Sequence, residues 1–279
     1  MYVWINAAPV WTTQMRIVRP KKALGQHFLT DLGIAGAIAD TVDCCPVLPV
    51  LEIGPGTGVL TQFLLEKDRP FKAIELDRES VDYLRREFPQ LGEGLIEGDF
   101  LRLDLSQLFG GKQFVLTGNY PYNISSQIFF KMLDNMELIP CCTGMVQREV
   151  AQRICAAPGS KSYGILSVMI QAWYDTEYLF TVRPEVFNPP PKVHSAVIRM
   201  TRNGRKELGC NAELFRRLVK GTFNQRRKML RNSIRSCMDK DSPLPSCQWL
   251  EKRPEQLSVE DFIELTNLIE RNNNGKGIS

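Results

Sequence analysis

The chain has 279 residues, 35 Lys and Arg against 31 Asp and Glu, and a formal net charge of +4 at pH 7. That length accommodates a domain of about 200 residues and a smaller one. It contains no run of about 18 apolar residues, so no membrane-spanning helix is expected, and with two histidines and no C-x-x-C it offers no zinc spacing and no metal is expected.

The eight cysteines include the adjacent pairs Cys44-Cys45 and Cys141-Cys142. Free thiols in a reducing cytosol are the simplest reading, and the expected location is cytoplasmic. Cys155 has no histidine in a partner context and is not assigned as a nucleophile. Residues 1–14 lack the basic start and long apolar core of a secretory signal. Residues 1–15 are expected to be a disordered extension.

Apolar runs place strands near 48–53, 71–76, 94–98, 114–118, 143–147, 177–183 and 196–201, alternating with helical patterns through residue 173. The last two strands have no long helical pattern between them, which predicts an antiparallel pair. The whole reads as α/β: a seven-stranded, mostly parallel sheet with helices on both faces. Ligands of such sheets bind at the carboxyl ends of the strands, and those ends are chemically unusual here. The first, Val50-Leu51-Glu52-Ile53, runs into Gly54-Pro55-Gly56-Thr57-Gly58, where glycine permits φ > 0 and close approach of a ligand to the backbone. The spacing is G-x-G-x-G, with Val59 where a nicotinamide fingerprint needs its last glycine. The second ends in Glu75, which suits the two hydroxyls of a ribose. The third ends in Gly98-Asp99-Phe100, an acceptor for an adenine amine and a ring to lie against it. The fourth ends in Asn119-Tyr120-Pro121-Tyr122. Proline lacks an N–H and holds φ fixed, so the carbonyls of this turn are expected to splay outward. Asn119 adds a neutral amide acceptor and Tyr122 a π-face, a set that suits a planar amine.

Beyond about residue 205 the pattern becomes helical, with Leu214, Phe215, Leu218, Val219, Phe223, Leu230 and Ile234 in register. From Arg205 to Lys240 eleven Lys and Arg stand against three acids, a local excess of eight in a chain whose total is +4. That asymmetry is an electrostatic footprint for phosphate. Arg226, Arg227, Lys228 and Arg231 are expected on neighbouring turns, able to track a nucleic-acid backbone. Ser258-Val259-Glu260-Asp261 predicts the start of a late packing helix, and Asn272-Asn273-Asn274-Gly275 a frayed end.

The glycine turn resembles the S-adenosylmethionine loop of class I methyltransferases. The chain as a whole resembles the rRNA adenine N6,N6-dimethyltransferases of the small-subunit (16S) type, the rRNA adenine dimethylase family. The matching runs include Lys22-Ala23-Leu24-Gly25-Gln26-His27-Phe28-Leu29, Glu52 to Gly58, Ile74-Glu75-Leu76-Asp77, Gly98-Asp99 and Gly118 to Ser125. Further on come Gln147-Arg148-Glu149-Val150, Tyr163 to Val168, Phe187-Asn188-Pro189-Pro190-Pro191-Lys192-Val193 and Phe223-Asn224-Gln225-Arg226-Arg227-Lys228. They cover residues 16 to 270 in family order. Two positions depart from the pattern: Tyr120 stands where leucine is usual, and His194 where an acid is common.

The resemblance implies a class I methyltransferase domain at 16–204, a helical RNA-binding domain at 205–271 and a flexible tail at 272–279. It implies S-adenosylmethionine as methyl donor, held by His27, Leu29, Gly54, Gly56, Glu75, Asp99, Phe100 and Asn119. His27 and Leu29 correspond to the family's N-terminal lid over the methionine part of the donor, which Gln26 also suits. Asn119 and the Pro121 carbonyl would accept the hydrogens of the target amine, with Tyr122 and Phe187 as opposite walls for a flipped-out base. The implied reaction is dimethylation of two adjacent adenosines near the 3′ end of small-subunit rRNA, by a monomer acting on an immature subunit. Two alternatives stay open: a methyltransferase of another nucleic acid, such as large-subunit rRNA, and a non-catalytic assembly factor on the same fold.

Overall fold

A computed structural model of the chain describes residues 18–238 and 243–274. The expected extension at 1–15 and the end of the expected tail, 275–279, lie outside the described residues. In chain order the elements are β1 (Phe28–Leu29), α1 (Leu32–Asp40), β2 (Val50–Ile53), α2 (Thr61–Leu65), β3 (Phe71–Glu75), α3 (Arg78–Glu87) and β4 (Leu95–Glu97). There follow β5 (Val115–Thr117), α4 (Ser125–Asp134), β6 (Cys141–Gln147), α5 (Arg148–Ile154), α6 (Ile165–Gln171), β7 (Tyr174–Val182), β8 (Phe187–Asn188) and β9 (Ser195–Arg202). The chain then becomes helical: α7 (Ala212–Asn224), α8 (Leu230–Ser233) and α9 (Val259–Asn274).

Seven strands form one sheet in the order β4-β3-β2-β5-β6-β9-β7. The five from β4 to β6 are parallel, and β9 inserts antiparallel between β6 and β7. This is the predicted sheet, including the antiparallel last pair. Its central strands β2 and β5 are buried at every position, as strands covered by helices on both faces must be. The strand order reverses between β2 and β5, so their carboxyl ends open a crevice.

A second, two-stranded sheet was not legible as strands. Phe28 pairs with Asn188 and Leu29 with Phe187, antiparallel. Two residues per strand are too few to show periodicity.

The helical segment shares the core of the sheet. Leu214, Phe215, Leu218, Val219, Phe223, Leu230 and Ile234 are buried in the same cluster as Leu116, Ile128 and Met200. Asn211 caps α7 by accepting from the Leu214 N–H at 3.0 Å. Ser258 and Asp261 cap α9 reciprocally: Ser258 Oγ accepts from Asp261 N at 3.1 Å, and an Asp261 carboxylate oxygen from Ser258 N at 2.9 Å.

Three expectations change. Arg226–Lys228 do not continue a helix. α7 stops at Asn224, and the start of the next helix is re-aimed because Leu230 N donates to Lys252 O and Arg231 N to Leu250 O, at 2.8 and 3.0 Å. Asn272 to Asn274 do not fray: they extend α9, where Asn272 Nδ2 donates to Pro243 O at 3.2 Å. The cysteines are not all free thiols. Cys45, just after α1, is disulfide-bonded to Cys141 at the start of β6, 96 residues away, with Cα atoms 5.9 Å apart. The packing of α1 on β6 creates this proximity, which spacing along the chain does not reveal. Cys155 is half-buried, and burial pushes its thiol pKa up, away from a nucleophilic thiolate.

No helix among the described residues is long and apolar enough to cross a membrane.

Candidate active site

A cleft of about 840 Å³, counted out to open solvent, lies at the carboxyl ends of β2, β3, β4 and β5. Its lining includes Gly54 and Gly56, Glu75, Asp99 and Phe100, and Asn119, Pro121 and Tyr122. Residues 24–28 form part of its wall, with His27 among them. Four strand ends far apart in sequence thus converge on one crevice.

The glycine turn is shaped for close approach. Gly54 and Gly56 have φ of 66° and 58°, in the left-handed region. A Cβ on Gly56 would lie 2.9 Å from the Phe28 ring, so the turn and the wall strand touch only because that atom is missing. The turn is tied to the next strand: Gly56 N donates to Glu75 Oε2 at 3.0 Å, and Asp77 N to Glu75 Oε1 at 2.8 Å. Burial raises the pKa of Glu75 despite these bonds. Glu52, behind the turn, is buried and accepts from Thr61 Oγ1 at 2.7 Å, and desolvation pushes its pKa up to about 8. Asp99 accepts from Leu101 N at 2.9 Å. Phe100 is buried, with Lys131 Nζ 5.4 Å from its ring centre.

At the fourth strand end, Asn119 Nδ2 donates to the His27 carbonyl at 3.1 Å. The Pro121 carbonyl is not left wholly outward as expected: it accepts from Ile124 N at 3.2 Å, closing a turn and leaving one lone pair for a ligand. The Tyr122 hydroxyl is hydrogen-bonded to the buried Ser195 hydroxyl at the start of β9. Burial raises the Tyr122 pKa. Its ring stacks on His27, with centroids 5.4 Å apart and planes at 27°. His27 Nδ1 lies 2.8 Å from the Pro189 carbonyl, which can only accept, so Nδ1 carries the proton. His27 therefore reaches the acceptor turn and the proline-rich loop, a placement its position in the sequence did not suggest.

Two nominated residues stay out of the cleft. Leu29 and Phe187 are buried, 5% and 3% exposed, in a core they share with Ile38, Val50, Val115 and Val197, and they pair across β1 and β8. Alternation along β1 explains Leu29, since its neighbour Phe28 takes the cleft side. Sequence reasoning also missed Ser195 and the contacts of Lys21 and Gln26 with Asp77. All of them lie in or beside quoted motifs, but the pairings span dozens of residues.

On the helical segment the four basic residues divide. Arg226 Nε is 3.7 Å from Glu255, and Arg231 Nη1 2.7 Å from Glu251. Arg227 and Lys228 are exposed and make no ion pair among the described residues.

A sheet in this order, with a glycine turn, strand-end carboxylates and an Asn-aromatic-Pro-Tyr turn around one cleft, defines a class I methyltransferase. Comparison with known proteins agrees. The ribosomal RNA adenine dimethylase family matches residues 17–270, and the chain belongs to that family. It is 69% identical over 256 residues to the ribosomal RNA small subunit methyltransferase A of Phocaeicola vulgatus, covering 92% of this chain and 91% of that protein. The protein of the same name from Porphyromonas gingivalis is 60% identical, over 92% of this chain and all of that one. Among solved structures, a dimethyladenosine transferase from Plasmodium falciparum superposes with a TM-score of 0.72 at 26% identity, covering 89% of this chain and 98% of its own. The 23S rRNA methyltransferase ErmE superposes with a TM-score of 0.63 at 25% identity, covering 86% and 99%.

Proposed function

We propose that this enzyme dimethylates the N6 amines of two adjacent adenosines near the 3′ end of small-subunit rRNA, acting in the cytoplasm as a monomer on an immature subunit. The observation that carries this reading is the convergence of the glycine turn, Glu75, Asp99 and Asn119 on one cleft. The naming of the 60–69% identical relatives for the small subunit supports the choice of substrate.

The cleft suits a nucleoside-bearing methyl donor. Gly54, Gly56, Glu75, Asp99 and Phe100 all line the cleft; in this reading the glycines offer backbone, Glu75 takes the ribose, and Asp99 beside Phe100 takes the adenine. S-adenosylmethionine supplies a methyl on a sulfonium, already activated for transfer.

The chain's own part is orientation. An adenine N6 lone pair is delocalised into the ring, so the amine needs its hydrogens held and its lone pair turned more than it needs a strong base. Asn119 Oδ1 and the remaining lone pair of the Pro121 carbonyl accept those hydrogens. Tyr122, held by Ser195, offers its ring to the flipped base. Phe187 serves from beneath: it anchors β8 and so keeps Pro189 beside His27.

The segment 205–271 supplies RNA binding. Arg227 and Lys228 are the available phosphate contacts, while Arg226 and Arg231 first hold Glu255 and Glu251.

The test is mass spectrometry of rRNA from cells lacking this protein, with methyl-transfer assays on purified immature small subunits, large-subunit rRNA and naked DNA. Loss of dimethyladenosine from small-subunit rRNA, with transfer to small subunits alone, is expected. Transfer only to large-subunit rRNA, or to nothing, replaces this reading with one of its alternatives.

A further inference from the structure

We infer that Lys21 and Asp77 are positioning residues for methyl transfer: their ion pair latches residues 21–28 across the cleft and so holds the His27 carbonyl on the amide of Asn119. The inference rests on the assignment of Asn119 as acceptor for the target amine.

The segment is pinned at both sides of the crevice. On the β3 side, the Lys21 ammonium is hydrogen-bonded to Asp77 and lies 3.5 Å from Glu79. Gln26 closes the loop on the same carboxylate: its Nε2 donates to Asp77 Oδ2 at 3.3 Å, and its Oε1 accepts from Lys21 N at 2.8 Å. Asp77 is 4% exposed and also caps α3. Burial pushes its carboxyl up, but the hydrogen bonds from Lys21, Gln26 and the Glu79 N–H, with the Lys21 charge, together leave its pKa below the ordinary value. On the β5 side, the very next residue, His27, gives its carbonyl to Asn119. β2 lies between β3 and β5, so the strap bridges two strand spacings, about 10 Å, along the wall of the cleft.

The consequence follows from the asymmetry of a carboxamide. One end of Asn119 donates and the other accepts. With Nδ2 bound to His27 O, Oδ1 is directed away from the strap and a flipped amide loses that bond. A flipped amide would meet the target amine with N–H groups, donor against donor. The orientation of the acceptor is therefore set by a carbonyl whose own place depends on the latch, both partners of which lie more than 40 residues from Asn119 in sequence. The latch also reaches the donor end, since Asp77 N is bound by Glu75, whose other oxygen holds Gly56.

Lys21→Met tests this, because it keeps the aliphatic stem, removes the charge and lies on a partly exposed side chain. Lys21→Arg restores the ion pair. The first readout is the side-chain ¹H–¹⁵N amide resonance of Asn119 in the donor-free protein, assigned with Asn119→Ala. The second is kcat and the KM for small subunits at saturating S-adenosylmethionine. In Lys21→Met the resonance should move to the position of a free carboxamide and kcat should fall about fivefold, the worth of one lost hydrogen bond, with the KM within about twofold. Lys21→Arg should recover both. An unmoved resonance, or a moved resonance with unchanged kcat, overturns the inference. A wild type that transfers no methyl to small subunits defeats the proposed function instead, while the resonance still decides whether the latch sets the amide.

Discussion

The hydroxyl of Tyr120 donates to the carbonyl of Thr143 at 2.8 Å and lies 3.1 Å from the sulfur of Cys142. The side chain is 1% exposed, with its ring edge against Phe129, so it points into the protein and only its backbone serves the acceptor turn. Tyr120→Leu should therefore keep dimethyladenosine as the main product. It should lower stability by about 1–3 kcal/mol, through lost ring contacts and a lost hydrogen bond. Denaturant unfolding and the ratio of mono- to dimethyladenosine check the two halves. A wild type that stalls at one methyl, relieved in the variant, would mean that the ring narrows the site.

Asn119→Ala removes one placed acceptor. Methyl transfer should drop by about 10²-fold or more, while calorimetry should find donor binding within a few fold of wild type. Turnover near the wild-type level would take the amine-holding role away from Asn119.

The division among the basic residues makes the RNA footprint testable. Arg227→Glu with Lys228→Glu should weaken small-subunit binding and reduce the slope of log affinity against log salt by about one per lost phosphate contact. The melting temperature should hold, because neither residue has an ion-pair partner to lose among the described residues. Arg226→Glu should instead lower it, since a second carboxylate would face the partly buried Glu255. An unaltered salt slope in the double variant places the footprint elsewhere.

Glu52 makes stability depend on pH. In the folded protein it keeps a proton up to about pH 8, against an ordinary value of 4.5. The folded state then binds more protons than the unfolded state across that window, so stability falls as pH rises from about 4.5 to 8. Glu52→Gln carries no such proton and still accepts from Thr61. Its melting temperature should decline less between pH 5 and pH 8 than that of wild type, the gap opening toward pH 8. Parallel curves would show that Glu52 titrates near its ordinary value.

The sheet and the line of polar strand ends that border the cleft were readable because their signals are local. A strand covered on both faces has to be an apolar run, and the residue that leaves it carries the chemistry: Glu75 and Asn119 close such runs, and Asp99 follows the shorter edge strand β4. The late antiparallel pair was readable from a missing helix, the buried face of α7 from a 3.6-residue period, and the start of α9 from its cap and first-turn acids. None of this needs knowledge of what lies across the cleft.

Contacts between loops were different. That His27 would lie on Tyr122, that Lys21 would find Asp77, and that Cys45 would meet Cys141 depends on how segments dozens of residues apart pack, and a polar or small side chain leaves no periodic trace of its partner. The same holds for charge: the sequence counts Arg226 and Arg231 equally with Arg227 and Lys228, but only the fold spends the first two on Glu255 and Glu251. By itself the chain determined the kind of sheet and the chemistry at its strand ends, because burial and backbone conformation are written residue by residue. The tertiary structure alone decided which of those groups face the cleft, which are already occupied, and which hold the others in place.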